Sequence, residues 1–208
     1  VYFDVAKPHV VGVFGKRGTG KSYSMGTIAE EIHTADISEN LSTIIIDPMG
    51  IYWSMRRPNE QDVSILDQWD MKPKGFDVDV YIPKGKVKDF DEKEMPYDNT
   101  FTLNPAELTA EEWRMAFALE EDSEQNILLE RVIGELDEEF GDSYRIEHIL
   151  KAINSFDFDE KTVKALENRF RNAEDWGIFG EESSLDKLTE REELSVVDVS
   201  VFGQMSGG

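Results

Sequence analysis

Eight consecutive residues, Gly15-Lys16-Arg17-Gly18-Thr19-Gly20-Lys21-Ser22, carry the clearest chemistry in this sequence. They fit the spacing G-x-x-x-x-G-K-[ST], in which glycines let the backbone curl until successive N–H groups point at one anion. A helix beginning at the end of such a loop adds the positive end of its dipole. Lys21 is then suited to the β- and γ-phosphates of a nucleotide, and the Ser22 hydroxyl to Mg²⁺. The candidate nucleotide-binding residues are Gly15, Lys16, Arg17, Gly18, Thr19, Gly20, Lys21, Ser22 and Tyr23. Lys21 is also a candidate catalytic residue, because it would meet charge as it develops on the transferred phosphate.

The flanking pattern is what such a loop needs. Val10–Phe14, "VVGVF", is an almost wholly apolar run, expected to be a strand buried on both faces. Apolar residues at Met25, Ile28, Ala29 and Ile32 predict a helix from about Lys21 to Thr34. Ser42–Pro48, "STIIIDP", reads as a second buried strand. Strand, helix and strand in that order imply a right-handed βαβ unit with parallel strands.

Hydrolysis calls for an acid at the end of a neighbouring strand to organise Mg²⁺ and water. Asp47 ends "TIIID" and Asp198 ends "LSVVD", and neither is followed by a glutamate. Asp47 is the expected catalytic and metal-binding acid beside Ser22, and Asp47→Asn should then weaken Mg²⁺-dependent steps more than nucleotide binding itself. Asp137 and Glu138 in "LDEEF" lie on an amphipathic helix and read as surface residues. Asp47-Pro48-Met49-Gly50 spells D-x-x-G, but the nearest match to a guanine-reading N-K-x-D is Asn172-Ala173-Glu174-Asp175, which lacks the lysine. Arg169 and Arg171 are candidates for a lid or trans-acting arginine, with helix-surface charges as the simpler reading.

Further along, a strand is expected at Val78–Ile82 and a charged loop at Lys84–Glu94. From Leu108 to Trp176 the periodicity is helical. Thr109 and Glu112 form a capping box ahead of Trp113, Ala116 and Phe117. Three stripes follow: Leu128, Val132, Leu136 and Phe140; Ile146, Ile149, Leu150 and Ile153; Val163, Leu166, Phe170 and Ala173. "LSVVDVSVF" is the last expected strand. The organisation expected is an α/β P-loop core over 1–107, a helical insertion over 108–176 and a return to the core sheet over 177–208.

The 208 residues hold 22 Lys/Arg against 44 Asp/Glu, a net charge of −22, and no cysteine. Disulfides and thiolate chemistry are thereby excluded, and a reducing cytoplasm is compatible. No apolar run approaches the ~20 residues a spanning helix needs, and the first residues lack a signal-peptide pattern. The charge is uneven: residues 107–193 hold 10 Lys/Arg against 26 Asp/Glu, a net of −16. Acidity of this kind argues against phosphate-backbone contact by most of the surface. The chain starts without methionine and stops at "FGQMSGG", so a segment of a longer protein is expected.

With "GKRGTGKSYSMG", "IDPMGIYW", "PAELTAEEW", "ILLERVI" and "ALENRF" through "WGIF" together, the sequence resembles the HerA-like ATPases of the FtsK–HerA superfamily, archaeal members especially. The resemblance runs along nearly the whole chain. It implies a RecA-like fold, ATP with Mg²⁺, and a homo-oligomeric ring, typically a hexamer, that moves double-stranded DNA through its pore. A nuclease partner in DNA-end processing is also implied. Lys21 and Ser22 take the family's P-loop roles, and Asp47 matches its Asp-Pro pair. Ile51 stands where many relatives carry an acid. The family's Walker B Asp–Glu pair and trans-acting arginine would lie beyond Gly208, so the isolated chain could bind ATP without turning it over. A nucleotide-binding switch or interaction module without DNA translocation is the alternative. A ring needs positive charge only along its pore, which leaves room for an acidic outer face.

Overall fold

The β-branched run Thr43–Asp47 forms strand β1. Three more strands are Asp79–Pro83 (β2), Asn99–Phe101 (β3) and Leu194–Asp198 (β4). The computed structural model describes residues 7–35, 40–184, 188 and 193–203. Among these, the strands make one sheet in the order β1-β4-β2-β3, with every pairing parallel. Strand β4 is central and buried at all five positions, as its near-continuous apolar sequence requires. The register runs from Thr43 opposite Leu194 to Asp47 opposite Asp198. The α/β class with a parallel sheet is thus the observed one.

Lys21–Thr34 forms helix α1, which buries Ala29 against Ile45, Val80 and Val196 on one face of the sheet. Met25, expected inside, is exposed, and Gly26 and Ala29 make the buried contact instead. The expected strand at Val10–Phe14 does not form. Val10 and Phe14 are almost fully exposed, and no described strand pairs with the run. An apolar run becomes a buried strand only where neighbours take its amides and cover its faces. Strand β1 pairs only with β4, so among the described residues no βαβ unit joins 10–14 to β1.

Two other expectations change. Lys84–Glu94 is not a loop. A 3-10 turn at Lys84–Lys86 leads into α3, Val87–Glu92, whose single buried residue is Phe90. The last strand stops at Asp198, and Ser200–Gly203 forms a short helix. The Asp198 carboxylate accepts the Ser200 amide at 2.9 Å, which turns the chain out of the sheet. Val63–Gln68 (α2) has no buried residue. The expectations for the end of the chain beyond residue 203 lie outside the described residues.

Four helices form a second core: α4 (Ala110–Ala116), α5 (Glu124–Phe140), α6 (Ile146–Ile153) and α7 (Glu160–Glu174). Thr109 and Glu112 form the reciprocal capping box, Ser123 caps α5 and Asp159 caps α7. Trp113, Leu128, Val132, Ile149, Ile153, Leu166 and Phe170 are fully buried there. Each is worth about 1.5–3 kcal/mol on burial before entropy is set against it. Ala116 and Phe140, expected in this core, are exposed.

The bundle is stitched to the sheet at the end of β3. Leu103 donates to the Ile178 carbonyl at 2.7 Å, Gly180 donates to that of Leu103, and Ser184 to that of Thr102. Beside this seam the Gly85 amide donates to the Gly177 carbonyl at 2.8 Å. A Cβ on Gly85 would stand 2.6 Å from the Gly177 Cα, so the two backbones can cross only without side chains. Among the described residues, no helix is long and apolar enough to cross a membrane.

Candidate nucleotide-binding site

The loop ahead of α1 has the shape its glycines predict. Gly18 and Gly20 take φ of 80° and 85°, a left-handed conformation that costs other residues about 1–2 kcal/mol. The Lys16 carbonyl accepts the Thr19 amide at 3.3 Å, the Thr19 hydroxyl at 2.8 Å and the Lys21 ammonium at 2.8 Å. These bonds close the loop on itself. A Cβ at Gly15 would come within 2.4 Å of the Thr19 Oγ1, which requires glycine at the loop's start as well as at its end.

Gly20 is the N-cap of α1, and no side-chain hydrogen bond caps the helix. The leading amides are therefore left for an anion, whose charge the helix dipole favours. Lys16, Arg17, Thr19, Ser22 and Tyr23 are exposed around this mouth, and Lys21 is half-buried. A cradle with two left-handed glycines and an uncapped helix start fits a polyphosphate. The exposed Ser22 hydroxyl, one residue past the loop lysine, fits a magnesium ion held against it.

Asp47 is placed differently. Its carboxylate is completely buried and accepts four backbone amides. Oδ1 takes Met49 at 3.0 Å and Gly50 at 2.9 Å, while Oδ2 takes Ile51 at 2.6 Å and Tyr52 at 2.8 Å. A carboxylate has about four acceptor positions, and all of them are engaged here. Asp47 thus folds the segment 48–52 around itself and starts the 3-10 turn at Tyr52–Arg56.

Asp198 lies beside it, also buried, with its Oδ2 3.2 Å from where a Gly50 Cβ would stand. Burial raises the Asp198 pKa above the ordinary carboxylate range; the nearby Asp47 adds to the rise and the Ser200 hydrogen bonds oppose it. Among the described residues, no group of three or more His, Cys, Asp or Glu is placed to hold a metal.

The two candidate arginines are both engaged by residues of the helical bundle, Arg169 half-buried between helices and Arg171 exposed on its surface. Arg169 donates to the Phe117 carbonyl at 2.6 Å and to Gln125 Oε1 at 3.1 Å, tying α7 to α4 and α5. Arg171 pairs with Glu167 one turn back on α7. Asp137 is exposed on α5 and accepts the Tyr144 hydroxyl at 2.9 Å.

Sequence reasoning overlooked Tyr52. Its hydroxyl donates to the Ser22 carbonyl at 3.1 Å, joining the Asp47 loop to the first turn of α1 across 30 residues. The available signal was a large aromatic two residues after Gly50, together with Gly26 in the middle of a helix.

A glycine-closed anion cradle leading into a helix, set against a parallel sheet, defines a P-loop nucleoside-triphosphatase domain. The family model for the central domain of helicase HerA matches residues 1–204, and the chain belongs to that family. It is accordingly a P-loop ATPase domain of the FtsK–HerA type. A comparison with curated proteins finds none that matches.

Proposed function

We propose that this chain is an ATP-binding and ATP-hydrolysing motor domain of HerA DNA-translocase type. The carrying observation is the closed loop at Gly15–Ser22 on an uncapped helix, within a match to the HerA central domain that spans residues 1–204. Backbone amides from Gly15 to Tyr23 would hold the triphosphate, with Lys16 and Arg17 adding positive charge at the rim. Lys21 would leave the Lys16 carbonyl to neutralise the β- and γ-phosphates. The Ser22 hydroxyl would hold Mg²⁺, which when bound screens the charge passing to the leaving group. Asp47 would support the site by fixing the 48–52 segment. Its four amide bonds favour that role over direct metal ligation.

In this reading copies of the chain assemble as a hexameric ring around double-stranded DNA in the cytoplasm, with a nuclease as working partner. The test is ATP turnover by the longer native protein with and without duplex DNA, read together with its mass in solution. Stimulation by duplex and a ring-sized mass are expected. A monomer whose turnover ignores DNA would overturn the motor reading.

One observation favours the second reading, an ATP-binding switch without translocation. Both strand-end acids, Asp47 and Asp198, are buried and bonded to main-chain amides. Nucleotide binding without turnover by the longer protein would select it.

A further inference from the structure

We infer that Tyr52 is a positioning residue for the first turn of α1 and so for Ser22, the proposed magnesium ligand; the inference rests on the nucleotide-site reading above. The P-loop has little else to hold it. Among the described residues, the run that precedes it, Val10–Phe14, pairs with no strand, and the loop from Gly15 to Gly20 is exposed. The loop's own hydrogen bonds are internal, from Thr19 and Lys21 to the Lys16 carbonyl. Among the described residues, the Tyr52 hydroxyl is the one side-chain donor or acceptor that reaches residues 15–25 from a distant part of the chain.

The other end of that tie is rigid. The Tyr52 amide is bonded to the buried Asp47 carboxylate at 2.8 Å, and the ring is buried among Ile45, Met55 and Val196 in the sheet core. Gly26 sits one helical turn beyond Ser22, and a Cβ there would stand 3.7 Å from the Tyr52 ring. That is ordinary contact distance, so the Tyr52 ring lies alongside the buried Gly26 face of α1. The path from the end of β1 to the Ser22 carbonyl is thus one carboxylate, one amide and one ring. It fixes where the first turn of α1, and with it the Ser22 hydroxyl, stands relative to the sheet.

The experiment uses Tyr52→Phe in the full chain, which keeps the ring and removes the hydroxyl. Amide hydrogen exchange over residues 22–26 is measured without ligand, and fluorescent ADP is titrated with and without Mg²⁺. Loss of one net hydrogen bond corresponds to about fivefold. The first-turn amides should exchange about fivefold faster, and the gain in ADP affinity on adding Mg²⁺ should fall by a similar factor, with metal-free affinity within about twofold of wild type. A general loss of packing would instead lower both affinities together. If the wild type binds ADP and Tyr52→Phe matches it in exchange and in magnesium dependence, the inference is overturned by itself. If the wild type binds no ADP under either condition, the nucleotide-site reading falls and takes this inference with it.

Discussion

Asp47 and Asp198 are direct register partners at the C-terminal ends of two neighbouring parallel strands, and both are buried. Ligands of open α/β sheets gather at such strand ends. The two acids meet that position in different ways: Asp47 is surrounded by four amides, whereas Asp198 has a raised pKa from burial and from its neighbour. Each difference has a measurable result.

For Asp198 the sign follows from linkage. A carboxyl whose folded pKa lies above its unfolded value favours the fold most while protonated. That contribution is full below the unfolded value, about 3.9, and is lost as pH rises through the raised folded value. Asp198→Asn removes the titration. The variant should therefore gain stability relative to wild type as pH rises from about 4 to about 7. Urea denaturation at several pH values reads the difference, and a gap that does not change with pH would refute it.

Removing the Asp47 carboxylate strands four amides, that of Tyr52 buried and the other three partly so. Asp47→Ala should lower stability by several kcal/mol, on the order of 3–5, and Asp47→Asn by less, since one oxygen remains to accept. An acid whose main work was ligating metal would show the opposite ranking: little change in urea and a large loss of Mg²⁺-dependent nucleotide affinity. Denaturation and nucleotide titration of both variants separate the two.

Lys21→Ala should remove most nucleotide affinity, on the order of 100-fold, because a charge-assisted contact to phosphate is lost. Its only described structural bond is to the Lys16 carbonyl in an exposed loop, so the melting temperature should move by no more than about 2 °C. A variant that binds ATP as wild type does would remove the site.

Gly85 and Gly134 should respond to alanine in opposite directions. At Gly85 the new Cβ meets backbone atoms of Gly177, so the seam between sheet and bundle must part, at a cost of at least about 2 kcal/mol. Gly134 lies inside α5 with open space around it, and Gly134→Ala should stabilise by up to about 1 kcal/mol. Thermal melts of the two single variants decide both claims.

Much of the fold was legible because local chemistry and tertiary context agree. The stripes of α5, α6 and α7 bury largely as their periodicity predicts, Phe140 apart, and Gly18 and Gly20 of the loop are left-handed. The misses have physical causes. "VVGVF" has strand composition but no described neighbour, and composition cannot report a missing partner. Helix α3 hides behind its charges because only Phe90 is fully buried, with Val87 packed partly against the same core. Strand β3 is three residues long, too short to show a period. For Tyr52 the sequence offers only an aromatic shortly after Gly50 and a glycine within α1, because its partner is 30 residues away and the contact is to a carbonyl, which carries no signature of its own.

Ile44 and Ile46 are exposed on one face of β1, and the strand has no described partner beyond its outer edge. Such an edge invites another copy to add a strand, and repulsion from the formal charge of −22 opposes that unspecific edge-to-edge contact. The molecule's dispersal in solution is therefore an electrostatic balance. Raising ionic strength from about 0.01 M to 1 M shrinks the reach of that repulsion from about 30 Å to about 3 Å, so salt, which disperses many sticky basic proteins, should drive this one to cluster.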